Sequence, residues 1–174
     1  TLKGIQAPPF LPYKQESGRY AFLTNHLAKT HNLTGRAESL SNPPIFLGQA
    51  EGGTAMLLFQ VNYFTRKTQD SAVLKEMVHT MHHEFGHILH QNVLYPVAFK
   101  NISIGYTGTW FNSTDAEARA KGFITAYAQS APDEDFVEMV STMLAGANGG
   151  PNGYDDYEAL LAQTGGPGTK AYAD

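Results

Sequence analysis

The sequence predicts an α+β domain. Three observations lead there. A short apolar run, Ala55 to Phe64, follows the turn sequence Glu51-Gly52-Gly53. A long stretch from Asp70 to Val93 carries apolar residues at helical spacing. Two more segments of helical composition come after it. A small mixed sheet packed on the long helix, with a second helical part beyond, is the architecture these elements make. The chain of 174 residues is long enough to bury a core and is read as one domain over 1–174.

The elements follow in order. Pro8, Pro9 and Pro12 give an extended arm over 1–15. Glu16 to His31 reads as a helix, with Tyr20, Leu23 and Leu27 on one side, and Leu33 to Pro44 as a loop. Ile45 to Leu47 and Ala55 to Phe64 read as strands. In the second, Ala55, Leu57, Phe59 and Val61 alternate, yet Met56 and Leu58 are apolar too, which fits a strand covered on both faces. Asp70 or Ser71 caps the long helix; Val73, Met77, Phe85, Ile88 and Leu89 supply its apolar faces, and Tyr95-Pro96 ends it. Asn101 to Trp110 is a loop or short strand. Asp115 to Gln129 is helical by composition, and Pro132 breaks it. Asp133 to Leu144 starts another helix, with acids in its first turn. Residues 146–174 form a Gly-rich, partly flexible part around a short helix at Tyr154 to Leu161.

Composition removes several classes of function. The net charge is −4 and there is no basic run, so neither nucleic acid nor an anionic membrane surface is expected as a partner. There is no cysteine, which excludes disulfides, thiolate zinc ligands and a cysteine nucleophile but leaves the compartment open. No run approaches transmembrane length, and the start at Thr1 leaves room for a secretion signal or lipid anchor upstream. Asn32, Asn101 and Asn112 begin glycosylation triplets, which matter only in a host that glycosylates.

Four of the seven histidines stand in His82-His83-Glu84-Phe85-Gly86-His87-Ile88-Leu89-His90-Gln91, and His79 lies just upstream. His83-Glu84-Phe85-Gly86-His87 is an H-E-x-x-H sequence inside the long helix. Residues four apart share a helical face, so both imidazoles can point at one ion. Glu84 is turned about 100° from His83 and stands beside the ion, where it can take a proton from water. Zinc suits two imidazoles and a carboxylate with one position left open. His79, His82 and His90 read as supporting, core or surface residues. His79 and His83 are also four apart, but Thr80 sits where a base would be needed.

A third ligand is required. In the extended histidine pattern, glycine comes three residues after the second histidine and another histidine six after it; here those places hold His90 and Val93. The other common source is a carboxylate from a later helix. Glu134 and Glu138 are four apart and share a face. One can bind the metal while the other holds a ligand histidine through its free ring N–H. Read alone, Glu134 is an acid favoured near a helix start. Tyr127 lies seven residues before Glu134, and a phenol there can donate to a developing oxyanion.

His83-Glu84-x-x-His87 followed by Glu134-x-x-x-Glu138 resembles the gluzincin metallopeptidases. Thermolysin-like enzymes pair a ligand glutamate with an aspartate four residues on. Anthrax lethal factor is more similar, with a Glu-Phe-Phe-Ala-Glu segment where this chain has Glu134-Asp135-Phe136-Val137-Glu138, and a catalytic tyrosine at the place of Tyr127. That likeness implies a zincin-like fold, with Glu134 as ligand, Glu138 as the acid behind a ligand histidine and Tyr127 as catalytic. A narrower resemblance, carried by Glu51 to Val140, is to the zinc-binding metallopeptidase lipoproteins of Bacteroidota. Its residues are Ala50-Glu51-Gly52-Gly53 with the following strand into Val61-Asn62, His83 to Gln91, Tyr95-Pro96, Gly122-Phe123-Ile124, Tyr127-Ala128, Ser130 and Glu134 to Glu138. It implies a secreted, lipid-anchored protein of the periplasm or cell surface, beside outer-membrane nutrient importers.

The expected function is zinc-dependent hydrolysis of a peptide or protein substrate. His83, His87 and Glu134 hold Zn2+, Glu84 moves the proton, Tyr127 steadies the oxyanion, and the strand Ala55 to Phe64 offers an edge for an extended peptide. The alternative is a non-catalytic, zinc-containing accessory lipoprotein that binds peptide or glycan. A non-peptide amide would use the same chemistry. Peptide deformylase shares the motif but needs a cysteine ligand. Tyr106, Trp110 and Phe111 are candidates for a specificity pocket or for the core.

Overall fold

A computed structural model describes residues 28–35, 47–63 and 71–145. The arm over 1–15, most of the Glu16–His31 helix, the first two residues of the Ile45–Leu47 strand and everything after residue 145 lie outside those residues. The described elements are β1 (Thr30–Leu33), β2 (Gly48–Glu51), β3 (Ala55–Leu58), α1 (Ser71–Asn92), α2 (Asp115–Ala120) and α3 (Pro132–Ala145). Short 3₁₀ turns lie at Val61–Tyr63, Val97–Asn101, Trp110–Asn112 and Tyr127–Ser130. The fold class is α+β, as the sequence predicts.

The sheet has three strands in the order β1-β3-β2. β2 and β3 form an antiparallel hairpin, Gly48 opposite Leu58 and Glu51 opposite Ala55. Its turn carries Gly52 and Gly53 at φ 56° and 65°, the left-handed region that glycine enters without a Cβ penalty. β1 runs parallel to β3, with Thr30 opposite Ala55 and Leu33 opposite Leu58. The predicted helix therefore does not extend to His31. All four residues of β1 are exposed, so the strand is held by backbone pairing with β3 rather than by apolar burial. β3 ends at Leu58, short of the predicted Phe64, and Gln60 stands at φ 57° where the chain turns away. Met56 and Leu58 face the core, and Ala55 and Leu57 are half-buried.

α1 nearly fills the predicted Asp70–Val93 range and presents two stripes. At about 100° per residue, Met77, Met81, Phe85 and Ile88 lie on one side and His79, His83, His87 and His90 on the opposite side. Phe85 and Ile88 pack with Met56, Leu58 and Ala28 in a buried cluster, with Met77 and Met81 at its margin, so the apolar stripe faces the sheet. The histidine stripe faces α3, where a Cβ on Gly86 would stand 3.0 Å from Val137 Cγ1, so glycine permits the close approach of the two helices.

The predicted helix Asp115–Gln129 is only α2, six residues long. A capping box between Thr114 and Glu117 starts it, and Gly122 at φ 98° takes the chain out of it. Asp115 Oδ1 then accepts from the Ala126 N–H at 2.8 Å, folding the next segment back over α2. Tyr127 sits in a 3₁₀ turn rather than at a helix end. Pro132 opens α3 instead of merely ending what precedes it, which suits its fixed φ and missing N–H. Ala118, Phe123, Ile124, Ala126 and Ala128 form a second buried cluster, with Met139 and Met143 of α3 packed against it. Among the described residues no helix is long and apolar enough to cross a membrane.

Candidate metal centre

The histidine stripe of α1 and the first two turns of α3 meet in a small triangle of acceptor atoms. His83 Nε2 is 3.1 Å from Glu134 Oε2, His87 Nε2 is 3.2 Å from the same oxygen, and the two Nε2 atoms are 3.2 Å apart. Tetrahedral zinc with ligand bonds of about 2.0–2.1 Å separates its ligand atoms by about 3.3 Å. Donor chemistry and spacing therefore both fit that ion, and the three residues form a group that can hold a metal.

Hydrogen bonds behind the rings orient them. His83 Nδ1 lies 2.8 Å from Glu138 Oε1, and an ionised carboxylate only accepts, so Nδ1 carries a proton and Nε2 is the nitrogen turned to the triangle, where a metal would displace its proton. His87 Nδ1 lies 2.8 Å from His90 Nε2. Glu138 has further partners: Thr125 Oγ1 donates to Oε2 at 2.7 Å, and His79 Nε2 lies 3.1 Å from Oε1. His79, His83 and Glu138 also form a group of potential ligands. The 2.8 Å separation of His83 Nδ1 and Glu138 Oε1 is that of a charge-assisted N–H···O bond, so this second group reads as the support of the first.

The electrostatics show a site that demands positive charge. Burial works against charging His83, yet hydrogen bonds to Glu134 and Glu138 outweigh it and push the imidazole up to about 10. Burial likewise opposes the Glu134 carboxylate, but His83 and His87 hold it down at about 2. Glu138 is held well below the usual carboxylate range despite its burial, by His79 and His83. Without a metal, a proton on His83 supplies the charge that an ion would bring.

Glu84 does not join the triangle. Its side chain lies against β2, so close that a Cβ on Gly48 would be 2.6 Å from Glu84 Cγ, and the Ala50 N–H donates to its carboxylate. Burial raises its pKa more than His83, His87 and that N–H lower it. Tyr127 packs beside His83 with ring centroids 5.7 Å apart, and Trp110 meets Tyr127 edge-on at 4.8 Å. Burial and then Glu134 and Glu84 raise the Tyr127 phenol, which stays protonated and able to donate.

All these groups except Thr125 line one open cavity of about 680 Å³, together with Gly48, Gln49 and Ala50 of β2. The six residues singled out by the sequence, His83, Glu84, His87, Tyr127, Glu134 and Glu138, all line it. Of the aromatic candidates, Trp110 lines it and Phe111 is exposed, while Tyr106 packs on the second core cluster and donates to buried Asp135 at 2.9 Å. Sequence reasoning left His79, His90 and Thr125 without roles. The i, i+4, i+8, i+11 spacing of His79, His83, His87 and His90 was the available signal for two of them. His82 is off this stripe; burial and then His79 depress it to about 4, so it is uncharged.

The family described as "Putative zinc-binding metallo-peptidase" matches residues 2–165 of the chain. No protein of curated function matches it. Among solved structures, the crystal structure of a protein described in the same words, from Bacteroides caccae, matches with a TM-score of 0.65 at 31% identity. The match covers 94% of this chain and 62% of that one, so this chain spans under two thirds of its relative's length.

Proposed function

The chain belongs to this zinc-binding metallo-peptidase family, and we propose that it hydrolyses peptide bonds with zinc held by His83, His87 and Glu134. One observation carries the assignment. Two imidazole Nε2 atoms and one carboxylate oxygen converge at 3.1–3.2 Å, while His83 Nδ1 is committed to Glu138 behind it. That spacing matches the separation of ligand atoms around a tetrahedral ion, and the three residues form a group that can hold one. The arrangement supports the gluzincin resemblance, with Glu134 as ligand and Glu138 as the acid that orients His83.

Bound zinc supplies Lewis acidity and lowers the pKa of water to about 7. The chain's own groups do the rest. Glu84, set beside the triangle, accepts a proton from the attacking water and returns it to the leaving amine; burial raises its pKa, the direction that favours taking up that proton. The protonated Tyr127 hydroxyl donates to the oxyanion of the tetrahedral intermediate. The edge for an extended peptide is β2, not the run from Ala55, because β3 is the middle strand of the described sheet. Gly48, Gln49 and Ala50 of β2 line the cavity beside Glu84, where a substrate strand can add. From the narrower resemblance, to the metallopeptidase lipoproteins of Bacteroidota, we further propose a location in the periplasm or on the cell surface, near outer-membrane nutrient importers. Replacing Glu84 by Gln tests the enzymatic reading: zinc should still bind at one per chain while cleavage of a peptide library disappears. Equal turnover by the metal-replete variant would refute it, and tight zinc with no turnover in the native chain would favour a binding module.

A further inference from the structure

His83 and His87 are supported by different chemistry. Behind His83 stands a carboxylate, Glu138. Behind His87 stands another imidazole: His87 Nδ1 and His90 Nε2 are 2.8 Å apart, with the rings at 64° and their centroids 5.1 Å apart. We propose that His90 is a positioning residue which accepts the His87 Nδ1–H at its own Nε2, and so fixes the tautomer and plane of His87 and sets the zinc affinity of the centre. This rests on the reading of His87 as a ligand.

Three features carry it. His90 is 8% exposed, belongs to neither group of potential metal ligands, and its Nε2 stands 2.8 Å from His87 Nδ1. Its ring is itself held. Tyr95 packs edge-on against it at 5.7 Å, stacks on Phe136 of α3 at 4.6 Å, and donates its hydroxyl to Asp133, the residue before ligand candidate Glu134. The chain leaving α1 thus returns to clamp His90 against the start of α3. Finally, charge favours a neutral acceptor here. Glu76, Glu84, Asp133, Glu134 and Glu138 already line the cavity, and among the described residues no lysine or arginine does, Lys100 reaching only Asp133, at 3.5 Å. A carboxylate behind His87 would add another negative charge, whereas an imidazole orients the ring without one.

Zinc affinity of the full chain, measured by competition with a chromophoric chelator, tests this. The native chain should bind one zinc, and His87→Ala should lose affinity most. His90→Ala should lose about 10–100-fold, the usual cost of removing a partner behind a ligand. His90→Gln, which offers an amide oxygen as acceptor, should recover most of that loss. In the zinc-loaded native protein, nitrogen–proton correlation spectra should place the His87 proton on Nδ1, which also decides the matter if His90→Ala fails to fold. Native affinity in His90→Ala, no recovery in His90→Gln, or a His87 proton on Nε2 would overturn the inference alone. A loss in His90→Ala as large as in His87→Ala, without recovery by Gln, would make His90 a ligand. If His87→Ala binds zinc as the native chain does, the reading of the centre fails and takes this one with it.

Discussion

Gly48→Ala separates the proposed proton-moving group, Glu84, from the proposed metal centre. An added Cβ would stand 2.6 Å from Glu84 Cγ, 2.7 Å from its Oε1 and 2.9 Å from its Cδ. Carbon atoms rest at about 3.5–4.0 Å, so the Glu84 side chain must retreat by about 1 Å. These atoms are the far end of a flexible side chain on the wall of the open cavity, so the carboxylate can swing away from β2. A displacement of that size costs about 10²-fold in rate, or about 2.7 kcal/mol of barrier. No metal-ligand candidate stands among the nearest atoms to the new methyl, and Gly48 is not at a positive φ. Zinc affinity and melting temperature should therefore stay close to native while kcat falls. The assay is steady-state cleavage of a fluorogenic peptide identified from a library, run beside zinc competition. Native kcat in Gly48→Ala, with Glu84→Gln inactive, would refute the claim that β2 fixes the Glu84 carboxylate.

Three further outcomes are expected. Glu138→Gln keeps the shape but gives His83 Nδ1 a neutral partner, so zinc affinity should fall about 10–100-fold in chelator competition. Chelation should lower the melting temperature: zinc at 100 times its dissociation constant contributes about 2.7 kcal/mol, worth about 5–10 °C for a chain of this size, seen by scanning calorimetry. The metal-free protein should be most stable near pH 6.5. His83, raised from 6.5 to about 10, contributes stability that is complete below 6.5 and lost as pH rises through 10. His82, lowered from 6.5 to about 4, contributes stability present above 6.5 and lost as pH falls through 4. Zinc replaces the His83 proton, so melting curves with zinc should lose the alkaline decline.

Long-range partners decided which elements the sequence revealed. α1 was legible almost to the residue because its apolar stripe recurs at helical spacing over many turns. β2 was not, since Gly48-Gln49-Ala50-Glu51 has one apolar side chain beyond glycine and becomes a strand by pairing with β3. β1 likewise takes its conformation from β3 and not from its own four exposed residues. The segment after α2 is rich in helix formers, but the Gly122 turn and the Asp115–Ala126 bond are local commitments that composition does not display.

The candidate centre was more legible than the fold because a helix converts spacing directly into a shared face. His83, Glu84 and His87 follow from one helix alone, and Glu134 and Glu138 from another; only their meeting is tertiary. What spacing does not reveal is the hydrogen bond behind each ring. Thr125 reaches Glu138 from an irregular segment, so no periodicity points to it. His90 lies on the visible stripe, yet its role depends on Tyr95 returning from beyond the helix end to hold it. Candidate ligands on a helical repeat can be brought to one face from sequence, whereas groups behind them that a returning loop supplies require the fold. It follows that mutations behind the rings, at His90, Glu138 and Thr125, should grade zinc affinity while leaving the number of zinc ions bound at one, and a stoichiometry change in any of them would show that the ligand set itself had been misread.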